Sequence, residues 1–264
     1  MPLFPRRRRR LAVLRLSGVI AARDRALSLA ALKPLIDRAF RVGDEVALVI
    51  NSPGGSPAQS QLIHDYIRIQ ADRRKKAVIT FVEDVAASGG YWIALAGDSI
   101  RVLPTSLVGS IGVVSAGFGF VEALDRLGVE RRLVAAGRNK VRLDPFSPRK
   151  DEDTEWLTGL QAQLHERFIE HVRSRRAAQG TRLPEGGELF TGEVWLGREA
   201  IAHRLADQED SLGAYVDREK IRLREIAPRR MFSLRGLIGG LAAETLGALE
   251  ARIEDRALRA PFGL

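Results

Sequence analysis

An α/β fold with a mostly parallel sheet is predicted by two observations. From Leu11 to about Ala136, short β-rich runs alternate with helical stretches, the pattern of crossover units that build a parallel sheet. Within that region Ala77–Val82, the turn Ser88-Gly89-Gly90 and Tyr91–Ala96 read as strand, tight turn and buried helix. Length agrees with this reading, since 264 residues with 45% hydrophobic content can bury a full core in one domain with an appendage.

The elements follow in order. Residues 1–10 form a basic tail ending in the run Arg6 to Arg10. Leu11 to Ile20 is too short and too interrupted, by Arg15, Ser17 and Gly18, to be a signal peptide, and it reads as the first strand. Further strands are expected at 45–50, 77–82, 99–103, 108–114 and 130–135, with helices near 27–42, 57–72, 88–97 and 118–127. The uncharged window Val102 to Val121 is long enough for a membrane span, but Pro104, Thr105, three serines and four glycines make it strand and turn. No transmembrane helix is expected, which points to a cytoplasmic protein or one peripheral to the inner face of a membrane.

Arg138 to Lys150, with two prolines, reads as a loop. A long helix is expected from about Asp151 to Ala178, with acidic residues at 151, 152, 153 and 155 at its positive end. A shorter α/β stretch from Phe190 to Lys220 closes a main domain of residues 11–225. Beyond it, residues 226–264 carry Leu234, Leu237, Ile238, Leu241, Leu246, Leu249 and Ile253 at near-helical spacing, an amphipathic extension that needs a partner surface. Either its own domain, a neighbouring subunit or a membrane surface would serve.

Composition narrows the function. The absence of cysteine excludes disulfides and thiol chemistry. Formal net charge is +9, much of the excess lying in the N-terminal arginines, but no aromatic platform or recognised motif accompanies it, so nucleic acid is not an expected partner. No cofactor or metal is expected.

Two glycine turns carry the chemistry. Asn51-Ser52-Pro53-Gly54-Gly55 follows the run Glu45 to Ile50, so its amides leave a sheet edge where an oxyanion can sit. Ser88 ends the next strand at the start of a helix, and Gly89 lets a substrate backbone approach. A serine hydroxyl needs a base. His64, His165, His171 and His203 are remote in sequence and read as helix or surface histidines. Only six of the 42 basic residues are lysine, and arginine does not give up its proton, so Lys140, in a loop near a glycine turn, is the candidate.

The segments Asn51-Ser52-Pro53-Gly54-Gly55, Ala87-Ser88-Gly89-Gly90-Tyr91, Gly109-Ser110-Ile111-Gly112-Val113 and Gly137-Arg138-Asn139-Lys140 together resemble the signal peptide peptidase A family, the S49 serine–lysine peptidases with SohB-like members. The resemblance runs from residue 11 to about 220. It implies a Clp/crotonase-like fold of repeated ββα and βα units, with Ser88 as nucleophile and Lys140 as general base. It also implies an oxyanion hole from the Gly55 and Gly89 N–H groups, with Ser110 orienting the lysine. Thr191–Ala200 looks like a later block of the family, without identifiable chemistry.

Clp protease subunits share the first turn but depend on a histidine about 25 residues after the serine; here position 113 is valine. Crotonase-type enzymes would instead use carboxylates such as Glu83 or Asp84. In short members of the family serine and lysine come from adjacent subunits, so a homo-oligomer with shared sites is implied. Peptides, such as released signal peptides or other small or unfolded polypeptides, are the implied substrates. The competing reading is a non-catalytic peptide-binding or membrane-associated module of the same fold.

Overall fold

The computed structural model describes residues 8–227. Among them eight strands form one sheet, ordered β6-β5-β3-β2-β1-β8, with β4 paired to β3 and β7 to β4. The centre is β1 (Arg10–Ser17), β2 (Glu45–Ser52) and β3 (Val78–Ala87), linked by α1 (Leu29–Val42) and α2 (Pro57–Arg74). Next come α3 (Gly89–Ala94), β4 (Ser99–Val102), β5 (Leu107–Gly109), α4 (Val121–Leu127) and α5 (Asp151–Ala178). The chain then adds β6 (Val194–Leu196), α6 (Gly197–Ala202), β7 (Gln208–Glu209), α7 (Leu212–Glu219) and β8 (Arg222–Glu225). Every pairing is parallel except β5 with β6, so the α/β expectation is met.

The central strands are apolar on both faces because helices cover both faces. Val46, Leu48 and Ile50 of β2 join the larger core with Leu32, Ile36, Phe40, Ile63 and Ile67 of α1 and α2. Ala47 and Val49 point the other way, into a smaller core with Phe81, Tyr215 and Ile221. The helices start where capping residues predict: Ser28 accepts from the Ala31 N–H, and Ser56, followed by Pro57, accepts from the Gln59 N–H. The long helix α5 has Asp151, Glu152 and Asp153 in its first turn and Arg175 and Arg176 in its last, each sign matched to its end of the helix dipole. Arg176 is fully buried and donates to Asp207 and the Arg204 carbonyl, tying α5 to the segment before β7.

Several expectations are corrected. Residues 130–135 form no strand; they are irregular and exposed, because a β-rich run needs a ladder to pair with and none is beside them among the described residues. The strand expected at 108–114 stops at Gly109, where φ turns to +121° and then to +51° at Ser110. Arg9 and Arg10, assigned to the tail, belong to the body: Arg9 pairs with Glu45 and Glu219, and Arg10 opens β1 and pairs with Asp44. Arg6, Arg7 and the apolar stripe from Leu234 to Ile253 lie outside the described residues. Among the described residues no helix is long and apolar enough to cross a membrane.

Candidate active site

The parallel ladder between β2 and β3 brings the two glycine turns together. Ser52 is in register with Ala86, so Pro53–Gly55 and Ala87–Gly89 leave the sheet side by side at the carboxyl ends of adjacent strands. The approach is close enough to require glycine. A Cβ on Gly54 would sit 2.9 Å from the Ala87 carbonyl oxygen and from the Gly89 nitrogen. A Cβ on Gly55, whose φ is +136°, would sit 2.1 Å from the Ile20 carbonyl oxygen. At Gly89 a Cβ would meet the Ser60 Oγ at 2.4 Å and lie 3.4 Å from the Gly55 nitrogen, so a side chain there would crowd that amide. Neither the Gly55 nor the Gly89 N–H has a protein acceptor among the described residues. Two free donors therefore flank the serine.

Ser88 is held in a conformation that non-glycine residues rarely adopt, φ +51° and ψ −120°, a strain of about 1–3 kcal/mol. The surrounding hydrogen bonds fix it: its N–H donates to the Gly109 carbonyl at 2.8 Å, and its carbonyl accepts from the Trp92 N–H at 3.0 Å. Its side chain makes no capping bond and is partly exposed. This sharp strand-to-helix turn presents the hydroxyl outward.

Ser88, Gly55, Gly89 and Ser110 line one cleft of about 720 Å³, whose walls include Ile20, Trp92, Val113, Leu164 and Phe168. The sequence motifs thus converge, and Thr191 and Gly192 join them. The Thr191–Ala200 block now has a structural role. Its β6 pairs antiparallel with β5, and the Glu193 carbonyl accepts from the Ser110 N–H at 2.7 Å, holding Ser110 in its left-handed conformation.

Lys140 is placed elsewhere. It lies in a turn over residues 138–143, exposed, and is not among the residues lining the cleft. The segment before this turn is unusually open. Helix α4 has no buried residue, and Val114, Phe118, Leu127 and Val134 are 84%, 83%, 74% and 99% exposed. No carboxylate or histidine is among the cleft-lining residues. Glu83 pairs with Arg15 and Asp84 accepts from Asn51, which leaves the carboxylate chemistry considered from sequence without support.

Two of the histidines, His64 in α2 and His171 in α5, lie in helices as expected, and both are part of the packing behind the cleft. The His171 ring stacks on Trp92 with centroids 4.3 Å apart, and His64 meets His171 edge-on at 4.4 Å. Burial pushes both imidazoles down to about 3, so the pair is neutral at ordinary pH. Trp92 also packs on Phe168, centroids 4.9 Å apart. Sequence gave no signal for this stack, which joins α2, α3 and α5 across long separations. His165 contacts the Ile111 carbonyl at 3.0 Å and braces the chain after β5.

The model of Peptidase family S49 matches residues 70–224, a span that includes Ser88, Gly89, Ser110 and Lys140. Among curated proteins, a Brucella abortus protein named Na(+)/H(+) antiporter NhaA is 43% identical over 99% of this chain and 38% of its own length. The chloroplastic serine protease SPPA of Arabidopsis thaliana is 28% identical over 75% of this chain and 30% of its own length. This chain therefore spans well under half of either relative. A mutant of the 1510-N membrane-bound stomatin-specific protease superposes with a TM-score of 0.51 at 14% identity, covering 84% of this chain and 99% of that one. The Clp/crotonase-like fold expected from the motifs is thereby borne out.

Proposed function

The chain belongs to peptidase family S49, and from that premise we propose that it is a serine endopeptidase with Ser88 as nucleophile and Lys140 as general base. The observation that carries this reading is the strained Ser88 in an open cleft with two acceptor-free amides, Gly55 and Gly89, beside it.

In this mechanism the neutral amine of Lys140 takes the Ser88 proton as the Oγ attacks a peptide carbonyl. The Gly55 and Gly89 N–H groups hold the oxyanion of the tetrahedral intermediate. Collapse breaks the C–N bond, the leaving amine takes the proton from Lys140, and water then hydrolyses the acyl-enzyme. An amine acts as a base only in its neutral form, which desolvation favours. Because the Lys140 turn lies outside the cleft of its own chain, the lysine is delivered by a neighbouring copy, and Ser110 orients it there. The exposed apolar residues Phe118, Leu127 and Val134 support that homo-oligomeric arrangement, since burial against another copy would remove them from water.

Substrates are extended peptides with apolar or small side chains, such as released signal peptides or unfolded segments, which suit the apolar walls of the cleft. A region 43% identical to this chain occurs within a protein named as an antiporter, which supports placing this peptidase beside a membrane. Flotation of the full chain with anionic vesicles tests that placement, and failure to float removes it.

Reaction of the assembled protein with a fluorophosphonate tests the enzyme reading. Labelling at Ser88, with a peptide library cut by the native chain and spared by Ser88→Ala, is the expected result. An unlabelled, uncut outcome leaves a peptide-binding assembly module.

A further inference from the structure

The turn that carries Lys140 is built with more care than its exposure suggests. It runs through residues 138–143 and ends at Leu143, a non-glycine residue with φ +57°. That conformation costs free energy and persists only where neighbours enforce it. The enforcing group is Asp153, in the first turn of α5 and only 7% exposed. One carboxylate oxygen accepts from the Leu143 N–H at 3.3 Å, and the other lies 3.3 Å from the Arg142 Nε.

Arg142 is fixed on its other side, its guanidinium stacking over Trp156 at 4.9 Å. The chain just beyond the turn is fastened separately. Asp144 accepts from the Ser147 hydroxyl at 2.7 Å and from the Phe146 N–H, and pairs with Arg131 at 3.0 Å. The Ser147 hydroxyl leads in holding its carboxyl below the ordinary range. At the near end, the Lys140 N–H donates to the Gly137 carbonyl at 3.0 Å.

Lys140 is thus three residues from a backbone amide gripped by a rigid 28-residue helix. We infer that Asp153 is a positioning residue for Lys140, setting the direction of the lysine turn through the Leu143 amide and the Arg142 guanidinium. The inference rests on the reading of Lys140 as the general base. Asp153 touches no substrate and transfers no proton; it fixes where the amine arrives, and small misplacements of a catalytic group cost up to roughly 100-fold in rate.

The test is a double-mutant cycle in the assembled chain, read as the rate of Ser88 labelling by a fluorophosphonate and as kcat and KM on a cleaved peptide. Asp153→Ala is expected to lower kcat and the labelling rate by about 10- to 100-fold with KM nearly unchanged. In a Lys140→Ala background the same change is expected to have no further effect, because the group it positions is gone. Asp153→Asn keeps an acceptor for the Leu143 N–H and is expected to fall between Asp153→Ala and the native chain, which guards against misfolding of the alanine variant. Equal losses in both backgrounds, or native rates in Asp153→Ala and Asp153→Asn while Lys140→Ala is inactive, overturn this inference alone. A fully active Lys140→Ala removes the base assignment and this inference with it.

Discussion

The cleft around Ser88 and the segment from Phe118 to Lys150 are built on opposite principles. Around Ser88 the backbone is locked by a parallel ladder, by glycines with no room for a Cβ and by hydrogen bonds to Gly109 and Trp92. The later segment is fastened to itself, Phe120 stacking on Phe146 and Arg131 pairing with Asp144, and to the first turns of α5 through Asp153 and Trp156, while Phe118, Leu127 and Val134 face outward. The first region is complete within a single chain and holds the proposed nucleophile, Ser88, with the two amides of Gly55 and Gly89. The other holds the lysine, which the proposed mechanism delivers to a neighbouring copy. Under the proposed mechanism, a site divided in this way ties activity to assembly.

The sharpest way to break this comparison is to remove one reactive group from each region. Ser88→Ala and Lys140→Ala are each expected to lower kcat/KM on a peptide substrate by about 1,000-fold or more, with circular dichroism unchanged. Retained activity in either removes that residue's role. A step smaller is Gly89→Ala, whose new methyl crowds the Gly55 amide and meets Ser60; a loss of about 100-fold in kcat is expected. Native kcat in that variant would show that the two amides are not the oxyanion donors.

The outer region is tested by Val134→Glu, which puts a charge on a side chain that is 99% exposed in the single chain. Sedimentation is expected to show smaller particles and peptidase assays a loss of about tenfold or more, while the unfolding free energy of the separated chain changes by less than about 0.5 kcal/mol. Unchanged particle size would show that this face is not buried by a partner.

The smallest expected effect concerns acid stability. Burial lowers the folded-state pKa of His64 and His171 from 6.5 to about 3, so below pH 6.5 the unfolded chain binds more protons than the folded one. Their contribution to stability is therefore present above pH 6.5 and lost progressively as pH falls from there toward 3. His171→Phe keeps a ring on Trp92 and removes one of the two groups, and its melting temperature is expected to fall less between pH 7 and pH 4.5 than that of the native chain. An identical acid slope would show that the buried pair does not titrate on unfolding.

The sequence was most legible where structure is local. The α5 limits, Asp151 and Ala178, were readable because acidic and basic residues mark its two ends, and β1 to β3 because buried strands form continuous apolar runs. The meeting of Gly55, Gly89, Ser88 and Ser110 was legible through motifs that parallel strands bring to one edge. Residues 130–135 misled because β-branched and apolar residues favour a strand only when another strand is there to pair. Trp92, Phe168 and His171 were missed because the wall they form is assembled from α3 and α5 and leaves no spacing signal. The position of Lys140 outside its own chain's cleft is in keeping with the adjacent-subunit arrangement that the family resemblance implies, whereas the Asp153 contact that ties the lysine turn to α5 has no sequence signature.

The most direct test of a site shared between copies is complementation. Ser88→Ala and Lys140→Ala chains, each inactive alone, are co-expressed so that they assemble together, and peptidase activity of the purified mixed particles is measured. Sites pairing an intact Ser88 with a neighbour's intact Lys140 should restore about a quarter of native activity under random mixing. Mixed particles as inactive as either parent would contradict the account.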